Sequence, residues 1–429
     1  MSTTDFLETV RERGFVKQTA DEEGLVRALA RPLTLYCGYD PTADSLTAGH
    51  LLSMILLRHA QQAGHRPICV VGGATGMIGD PTGKSASRPS LTVEGVRQNL
   101  EGQRTQLSRI LDFSEGQALI LNNADWLARF NLIEFLRDVG LHFTVAPMLS
   151  AETYETRLAS GLTFTEFSYM LLQAYDFLHL YRELGCVLQV GGSDQWANIL
   201  AGADLIRRVE RGSAYALVTP LLTTASGAKM GKSAAGAIWL DPARTSPYDF
   251  YQYWVNTEDG DVARFLALFT FLPMDEVRRL GALEGAELRE AKRMLAFEVT
   301  GLVHGIEAAE AARHTAQALF GGRSATGTVA GNTSAAVGLS ASAVGFAVPT
   351  YSVSAEDLAL NPTVIDLLVR STLCASRSEA RRLIEQGGVT MAEERVAADM
   401  PVPAEVIAQG EVLLRAGKKR YYRIVFAPA

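Results

Sequence analysis

The stretch LTLYCGYDPTADSLTAGHLLSMILLR, residues 33–58, decides the fold, because it has the pattern of a strand, a loop and a helix. Leu33–Cys37 is the apolar run that a buried parallel strand requires, and a Gly-Tyr-Asp-Pro segment then breaks it. From Leu51 onward the apolar residues fall at helical spacing. Gly49 and His50 would then lie in the first helical turn, where free N–H groups and the helix dipole attract anions. The pattern fits a phosphate-binding loop and, equally well, an ordinary polar loop.

Length and composition limit the class of protein. The chain has 429 residues, of which 48% are hydrophobic and 20% charged, so we expect two or three globular domains. Its four cysteines form no CxxC pair and its seven histidines show no metal-ligand spacing, so we expect neither a disulfide framework nor a bound metal. The sequence shows no signal-peptide pattern and no apolar run long enough to span a membrane. These features predict a cytoplasmic protein without a membrane partner.

The charge distribution indicates where the domains divide. Residues 362–429 contain ten Lys and Arg against eight Asp and Glu, whereas the whole chain has a formal net charge of −7. No charged residue lies between Arg323 and Glu356, a stretch of small residues with the composition of a linker. The predicted domains are a catalytic nucleotide-binding domain at 1–240, a helical region at 241–322, a linker at 323–360 and a C-terminal domain at 361–429.

The first 240 residues alternate strand-like and helix-like segments. Five strands are predicted, at Leu33–Cys37, Pro67–Gly73, Ala118–Leu121, Cys186–Val190 and Ala216–Thr223. Helical patterns separate them, at Val93–Leu111, Leu132–Val139 and Thr165–Leu180 among others. Strands separated by helices predict an α/β fold with a doubly wound, parallel, Rossmann-type sheet. Ligands bind such sheets at the carboxyl ends of the strands.

Two loops resemble the phosphate-binding pattern GxxxxGK[ST] without matching it. In GDPTGKS the required first glycine falls on Ile78, and in GAKMGKS it falls on Ser226. Lys229 and Lys232 nevertheless stand in a Gly-, Ser- and Ala-rich loop after the last strand, close to the expected ligand-binding edge. Taken alone, that loop is better interpreted as a solvated basic turn.

Three signatures occur together in a characteristic order. Thr47-Ala48-Gly49-His50 follows the first strand, GGSDQ follows the fourth, and KMGKS, residues 229–233, follows the fifth. This order resembles the HIGH and KMSKS signatures of the class I aminoacyl-tRNA synthetases. The longer motifs YCGYDPTADSLTAGH, VGGATGMIGDP, FTEFSYMLLQAYDF and LQVGGSDQWANI resemble those of the bacterial tyrosyl-tRNA synthetases along nearly the whole chain.

The resemblance implies a site for ATP, which is consumed with Mg²⁺. Attack by an amino-acid carboxylate on the α-phosphorus of ATP needs alignment and charge stabilisation and requires no protein nucleophile. The residues implied to contact ATP or its phosphates are Asp40, Thr47, Gly49, His50, Gly192, Asp194, Lys229 and Lys232. Thr47 stands where the family usually has a histidine, so a hydroxyl replaces an imidazole at the phosphates.

An amino-acid pocket is predicted from a helical segment. Tyr169, Gln173 and Asp176 lie at i, i+4 and i+7, hence on one face of a mostly apolar helix. Such a face suits the wall of a cleft, although a generic helix could carry these residues outward. By resemblance, Tyr169, Gln173 and Asp80 bind the ammonium group of L-tyrosine, with Gln195 near the reacting groups. Tyr36 and Asp176 match the pair that contacts the phenolic hydroxyl.

The C-terminal residues contain two basic groups. CASRSEARRLIEQGGVTM predicts a helix followed by a Gly387-Gly388 turn, and VLLRAGKKRYYRIVF predicts a final strand. The region resembles a small α+β RNA-binding domain and implies binding of tRNA(Tyr). The candidate contacts are Arg377, Arg381, Arg382, Lys418, Lys419 and Arg420. The family is homodimeric, which makes 132–162 the candidate subunit interface.

The function predicted from the sequence is tyrosine–tRNA ligation through tyrosyl-adenylate. A tryptophanyl-tRNA synthetase of the same fold and a non-enzymatic RNA-binding protein are the alternatives. Neither alternative would account for all the signatures, since the first lacks the C-terminal domain and the second needs no intact His50, Asp194, Lys229 and Lys232.

Overall fold

The structure is a computed structural model of the chain. It describes residues 5–82, 92–150, 154, 157–158, 161–227, 230–233, 236–320, 350–392, 394–417 and 420–427. The chain divides into two compact units: residues 1–241 with 257–295, and residues 242–256 with 296–429. No helix in the described part of the chain is both long and apolar enough to cross a membrane.

A six-stranded sheet forms the centre of the first unit. Its strands are β1 (Gln18–Ala20), β2 (Thr34–Tyr39), β3 (Arg66–Val71), β4 (Leu119–Asn122), β5 (Cys186–Gly192) and β6 (Tyr215–Thr219). The spatial order is β1-β6-β5-β2-β3-β4, and every neighbouring pair is parallel except β1 with β6. Two short strands outside this sheet, β7 (Lys232–Ser233) and β8 (Gly236–Ala237), pair with each other. All five predicted strands are present, and the predicted α/β class with a parallel sheet is confirmed.

The strand predictions differ from the structure in two details. The short antiparallel edge strand β1 was not predicted, because three residues, Gln18–Ala20, carry too little pattern to be recognised. β6 ends at Thr219 rather than at Thr223, because the next residue is Pro220, which has no N–H to donate to a neighbouring strand.

The helices of the first unit connect and cover these strands. They are Asp5–Glu12, Glu22–Leu29, Leu51–Gln62, Thr75–Ile78, Val93–Ile110, Ala124–Leu127, Leu132–Asp138, Val145–Leu149, Phe164–Leu184, Trp196–Glu210, Val262–Phe269 and Met274–Gly281. The core between sheet and helices includes Tyr36, Ile68, Val70, Phe177 and Leu178. Burial on both faces explains why the central strands are continuous apolar runs.

The helix Phe164–Leu184 is fixed at both ends. Thr163 accepts from the Glu166 backbone N–H, and the Glu166 carboxylate accepts from the Thr163 backbone N–H, which makes a capping box. Glu166 also forms a buried bidentate ion pair with Arg157, at 3.0 Å. Gly185, with φ of +61°, ends the helix in the left-handed region that favours glycine. The helix therefore has a defined start and end for the polar residues that it carries.

The second unit begins with aromatic and amphipathic helices. The helices are Pro247–Val255 and Ile306–Phe320, and the helix Leu288–His304 spans the division between the two units. The predicted boundary at 240/241 therefore differs from the compact units, because residues 257–295 cluster with the first unit.

A five-stranded sheet forms the C-terminal part of the second unit. Its strands are β9 (Thr350–Val353), β10 (Val389–Met391), β11 (Glu394–Arg395), β12 (Glu411–Ala416) and β13 (Arg420–Phe426), in the order β11-β10-β12-β13-β9. Four helices accompany it, at Ala355–Ala359, Val364–Arg370, Arg377–Glu385 and Ala404–Ala408. β9 pairs in parallel with β13, so residues 350–353, which were predicted to belong to the linker at 323–360, are part of this sheet, which is a correction to that prediction.

Candidate active site

The carboxyl ends of the parallel strands bring the polar residues of the site together. β2 is followed by Asp40, β4 by Asn123, and β5 ends at Gly192. The ends of parallel strands share one edge of a sheet, so loops far apart in sequence meet there.

Asp40 is held by two hydroxyl groups. Tyr169 donates to its Oδ2 at 2.9 Å, and Thr75 donates to its Oδ1 at 2.9 Å. Tyr169 is buried, which raises the pKa of its phenol, and the neighbouring carboxylate of Asp40 raises that pKa further. The phenol therefore remains a donor, and it fixes the carboxylate that follows β2.

Asp176 lies at the opposite end of the same network. Its Oδ2 accepts from Asn123 Nδ2 at 2.9 Å and its Oδ1 accepts from Trp126 Nε1 at 2.7 Å. Burial raises the pKa of Asp176 to about 7, although both hydrogen bonds favour the ionised form and lower it. Asn123 also donates to Thr75 at 2.9 Å, so a continuous chain of hydrogen bonds joins Asp176 to Asp40.

Tyr36 is 1% exposed, and its hydroxyl has no hydrogen-bond partner among the described residues. Burial raises the pKa of this phenol well above its usual value, and nearby Asp176 raises it further. Gln189 pairs in register with Tyr36 on the adjacent strand, and its Oε1 is likewise buried without a partner in the described part of the chain. A ligand that reached these two atoms would supply hydrogen bonds that the described residues do not.

Asp80 and Gln195 form a second polar pair. Gln195 Nε2 donates to Asp80 Oδ2 at 2.7 Å, and the backbone N–H of Thr82 donates to Asp80 Oδ1 at 2.9 Å. Asn198 in turn donates to Gln195 at 3.3 Å. Gln173 is half-buried on the same helix as Tyr169 and Asp176. The structure thus joins Asp80, which follows β3 in the chain, to Gln195, which follows β5.

Thr47 and His50 form a tight turn before the helix Leu51–Gln62. The backbone N–H of Thr47 donates to His50 Nδ1 at 3.1 Å, and the Thr47 hydroxyl lies 3.0 Å from the same nitrogen. Because a backbone N–H can only donate, Nδ1 is the acceptor, and a neutral imidazole then carries its proton on Nε2. The ring thereby presents an N–H donor at Nε2. Thr47 orients the imidazole of His50.

Gly231, in the lysine loop, packs directly against the turn formed by Thr47 and His50. Gly231 has a φ of +81°, and a Cβ there would lie 3.0 Å from the backbone nitrogen of Gly49. Ala48 N–H donates to Ile238 O at 2.8 Å and Leu240 N–H donates to Leu46 O at 2.9 Å. Residues 46–48 and 238–240 are therefore two sides of one short antiparallel ribbon.

The predicted lysines are only partly described. Lys229 lies outside the described residues. The backbone of Lys232 belongs to β7 (Lys232–Ser233), which pairs with β8 (Gly236–Ala237) in a two-stranded antiparallel sheet. At the end of β5, Gly192 leaves room for the exposed Asp194, whose Oδ1 would be 2.5 Å from a Cβ at Gly192.

The C-terminal arginines differ in their ion pairs, hydrogen bonds and exposure. Arg377 pairs with Asp366, and Arg420 donates to Leu373 O at 2.6 Å and to Glu379 at 3.4 Å. Arg381 and Arg382 are exposed on the helix Arg377–Glu385. Lys418 and Lys419 lie outside the described residues. Arg395, which was not predicted, is exposed beside the turn at Gly387.

Sequence reasoning missed three polar residues of the network, Thr75, Asn123 and Trp126. Asn123 comes directly after β4, and Thr75 begins the short helix that follows the glycines after β3, so their positions near strand ends were a usable signal. Trp126 gave no such signal, because an aromatic residue on a short helix is usually part of the core.

Comparisons with known proteins agree with one another. Residues 28–321 match the family described as tRNA synthetases class I (W and Y), and residues 343–424 match the tyrosine–tRNA ligase SYY-like C-terminal domain. The chain is 50% identical over 418 residues to a tyrosine–tRNA ligase of Clostridium botulinum, covering 97% of this chain and 98% of the relative. It is 49% identical over 421 residues to that of Caldanaerobacter subterraneus, covering 98% of each.

Solved structures share the fold. A C-terminally truncated mitochondrial tyrosyl-tRNA synthetase of Aspergillus nidulans is 31% identical with a TM-score of 0.67, covering 73% of this chain and 94% of that one. A tyrosyl-tRNA synthetase of Archaeoglobus fulgidus, complexed with L-tyrosine, has a TM-score of 0.56 at 18% identity, covering 71% of this chain and 99% of that one. The second likeness supports the fold alone.

Proposed function

We propose roles for the cleft residues from the premise that this chain belongs to the tyrosyl-tRNA synthetases of class I. It is a tyrosine–tRNA ligase: it activates L-tyrosine with ATP and transfers the tyrosyl group to tRNA(Tyr). The identity to named tyrosine–tRNA ligases and the match to their C-terminal domain set aside the tryptophanyl and non-enzymatic alternatives.

In our proposal the phenol of L-tyrosine binds between Tyr36 and Asp176. The carboxylate of Asp176 accepts the substrate's O–H, and the Tyr36 hydroxyl donates to the substrate's oxygen. The single observation that supports this arrangement best is the buried Tyr36 hydroxyl, which lacks a partner among the described residues and lies within the field of Asp176. Tyrosine supplies the missing partner, and phenylalanine cannot.

The ammonium group of tyrosine binds at the other end of the pocket. We assign it to Asp80, Tyr169 and Gln173, with Gln195 near the carboxylate. Asp80 accepts a hydrogen bond from Gln195 at 2.7 Å, and the Tyr169 hydroxyl donates to Asp40 at 2.9 Å. These polar groups are therefore held in place before the substrate binds. A cation between these carboxylates would compensate their negative charge.

ATP lies across the turn formed by Thr47 and His50. The Nε2–H of His50 donates to a phosphate oxygen, and Thr47 holds the ring in the tautomer that allows it. Gly49 lets the phosphates approach the backbone, Asp40 lies near the reacting groups, and Gly192 with Asp194 receives the ribose. Mg²⁺ enters as part of the substrate MgATP.

The rate of activation depends on charge that develops as pyrophosphate leaves. We propose that Lys229 and Lys232 neutralise that charge, because their loop is joined to the phosphate-binding turn through Gly231 and Gly49. The tyrosine carboxylate is the nucleophile, and the protein contributes alignment and electrostatic stabilisation.

The C-terminal domain is proposed to bind tRNA(Tyr). Arg381 and Arg382 are exposed on one helix, and Arg395 adds a third exposed cation beside the Gly387 turn. Arg377 and Arg420 are proposed to contribute less, since carboxylates within the domain partly neutralise them. Lys418 and Lys419 remain candidates by resemblance.

Four free cysteines, all buried, support a reducing compartment, and we propose the cytoplasm.

We also propose that the enzyme is a homodimer. Fourteen large apolar side chains are exposed among the described residues, and eight of them lie between positions 132 and 164. They are Leu132, Ile133, Leu136, Leu141, Val145, Leu149, Leu158 and Phe164. Such a concentration of exposed apolar groups is typical of a subunit interface. Ile133→Asp should shift the mass measured by light scattering to that of one chain of 46.3 kDa.

Amino-acid-dependent exchange of pyrophosphate into ATP tests the proposed site. Tyrosine should support exchange, and Asp176→Asn should abolish most of it while leaving the far-ultraviolet circular dichroism of the protein unchanged. Equal exchange by Asp176→Asn and the unmodified enzyme would remove Asp176 from the substrate site.

A further inference from the structure

Residues 46–48 and 238–240 are nearly 200 residues apart in sequence but form one short ribbon, which leads into the proposed ATP-binding turn on one side and follows the lysine loop on the other. Thr47 forms an antiparallel bridge with Trp239, flanked by the hydrogen bonds from Ala48 to Ile238 and from Leu240 to Leu46. Ile238 N–H also donates to Gly231 O at 2.9 Å, which continues the connection into the lysine loop. A displacement at the end of this ribbon would move the turn at Thr47–His50 relative to the segment that contains Gly231.

One buried pair of side chains closes the end of the ribbon. Gln106 Oε1 accepts from the Leu46 backbone N–H at 2.7 Å, and Gln106 Nε2 donates to Ser45 Oγ at 3.0 Å. Ser45 Oγ accepts from the Asp241 backbone N–H at 3.1 Å and donates to Leu46 O at 2.8 Å. The pair thus receives one backbone N–H from each side of the ribbon.

This pair is deeply buried. Ser45 is 3% exposed and Gln106 is 5% exposed, and the ribbon residues Leu46 and Leu240 are each 1% exposed. Water therefore cannot readily replace a lost hydrogen bond at this position, and the backbone N–H of Leu46 would be left buried without its partner.

The helix Val93–Ile110 brings Gln106 to the ribbon. Asn99 donates to Pro41 O at 2.8 Å, and Gln103 lies one turn before Gln106 on the same side. Gln103 Nε2 is 3.4 Å from Asp40 O and 3.3 Å from Ala43 O. The helix backbone approaches the loop so closely that a Cβ at Gly102 would lie 2.0 Å from Asp44 O. Side-chain amides at i, i+4 and i+7 thus hold the loop that leads into the phosphate-binding turn.

We propose that Gln106 and Ser45 are positioning residues for the ATP site. They fix the register between the turn at Thr47–His50 and the segment that follows the lysine loop, and they act through Leu46 and Asp241 without touching substrate. The proposal rests on the proposed assignment of ATP to that turn. Small displacements of groups that align reacting phosphates reduce rates strongly, which is why a bond behind the turn affects activation.

The tyrosine pocket provides the internal comparison. The hydrogen bonds of Asp176 go to Asn123 and Trp126, whereas those of Gln106 and Ser45 go to each other and to the backbone of Leu46 and Asp241. The pair should therefore affect the use of ATP and spare the binding of tyrosine, whereas general destabilisation would affect both.

Gln106→Met tests the proposal in the full-length enzyme, because it keeps the volume and removes both hydrogen bonds. We expect kcat/KM for ATP in tyrosine-dependent pyrophosphate exchange to fall about tenfold or more, with the Kd for tyrosine unchanged in equilibrium dialysis. Ser45→Ala should give the same split. The double variant should be little worse than the poorer single variant, since both remove one unit. Gln98→Ala is the matched control, because Gln98 is exposed on the same helix and bonds only to Glu94 in the contacts described here.

The outcomes distinguish this proposal from the ATP-site assignment. Loss of ATP use in His50→Ala together with normal ATP use in both Gln106→Met and Ser45→Ala would overturn the positioning role and keep the assignment. Normal ATP use in His50→Ala would overturn the assignment itself. An equal loss of tyrosine binding and ATP use in Gln106→Met and in Ser45→Ala would show a purely structural role and would also overturn the proposal.

Discussion

Replacing Tyr36 by phenylalanine should change substrate selection without weakening the fold. The Tyr36 hydroxyl is buried and has no partner among the described residues, so the substitution removes no hydrogen bond that the structure shows there. The ring remains, and with it the edge-to-face contact with Phe177 at 5.3 Å between centroids. The midpoint of thermal unfolding should therefore not fall.

The magnitude of the effect on tyrosine follows from one neutral hydrogen bond. Such a bond contributes about 0.5–1.5 kcal/mol net, so kcat/KM for tyrosine should fall roughly 2- to 13-fold. With phenylalanine, the Tyr36 hydroxyl gains no partner, just as it has none among the described residues before the substrate binds, so kcat/KM for phenylalanine should change little. The preference for tyrosine should therefore decrease by the same factor, roughly 2- to 13-fold.

Pyrophosphate exchange with each amino acid measures this preference directly. Tyr39→Phe is the matched control, because Tyr39 is a buried tyrosine on the same strand whose hydroxyl lies 3.1 Å from Ser53 Oγ. It should lower stability and leave the preference unchanged. If Tyr36→Phe keeps the full preference for tyrosine, the proposed contact between Tyr36 and the substrate phenol is wrong.

Four further predictions concern other parts of the molecule. Because burial raises the pKa of Asp176 to about 7, the carboxylate becomes protonated as the pH falls through that value, and KM for tyrosine should rise there, a rise that Asp176→Asn should not show. Burial, helped by nearby Arg13, lowers the pKa of His59 from 6.5 to about 3. The neutral ring therefore stabilises the fold fully above pH 6.5, and between pH 6.5 and about 3 the free energy of unfolding falls by about 1.4 kcal/mol per pH unit. Urea unfolding of His59→Phe should show a correspondingly smaller loss of stability in acid. Lys232→Ala should slow adenylate formation in single-turnover experiments and leave the Kd for tyrosine nearly unchanged, and an unaltered rate would remove Lys232 from the site. A chain ending at Gly331, which omits β9 and all that follows, should keep pyrophosphate exchange but lose most charging of tRNA(Tyr), and full charging would refute the RNA-binding role of the C-terminal domain.

The order of strands and helices could be predicted because local pattern determines it. The five parallel strands are apolar runs bounded by glycine, proline or asparagine, and each appeared within a few residues of its predicted position. The edge strand β1 and the true start of the C-terminal sheet at Thr350 were missed, because short edge strands carry little hydrophobic pattern and depend on a partner distant in sequence.

The sequence by itself determined the family and the parallel α/β sheet, since long motifs and the period of apolar residues are local properties, and it supplied the predicted site residues. Only the tertiary structure decided which polar groups share hydrogen bonds. The chain from Asp176 through Asn123 and Thr75 to Asp40 draws on two helices and two loops that are far apart in sequence. Gln106 looks like any polar residue of an amphipathic helix until folding places it against Leu46. Burial at a distant contact gives such a residue its importance, because water can no longer satisfy the groups that it binds.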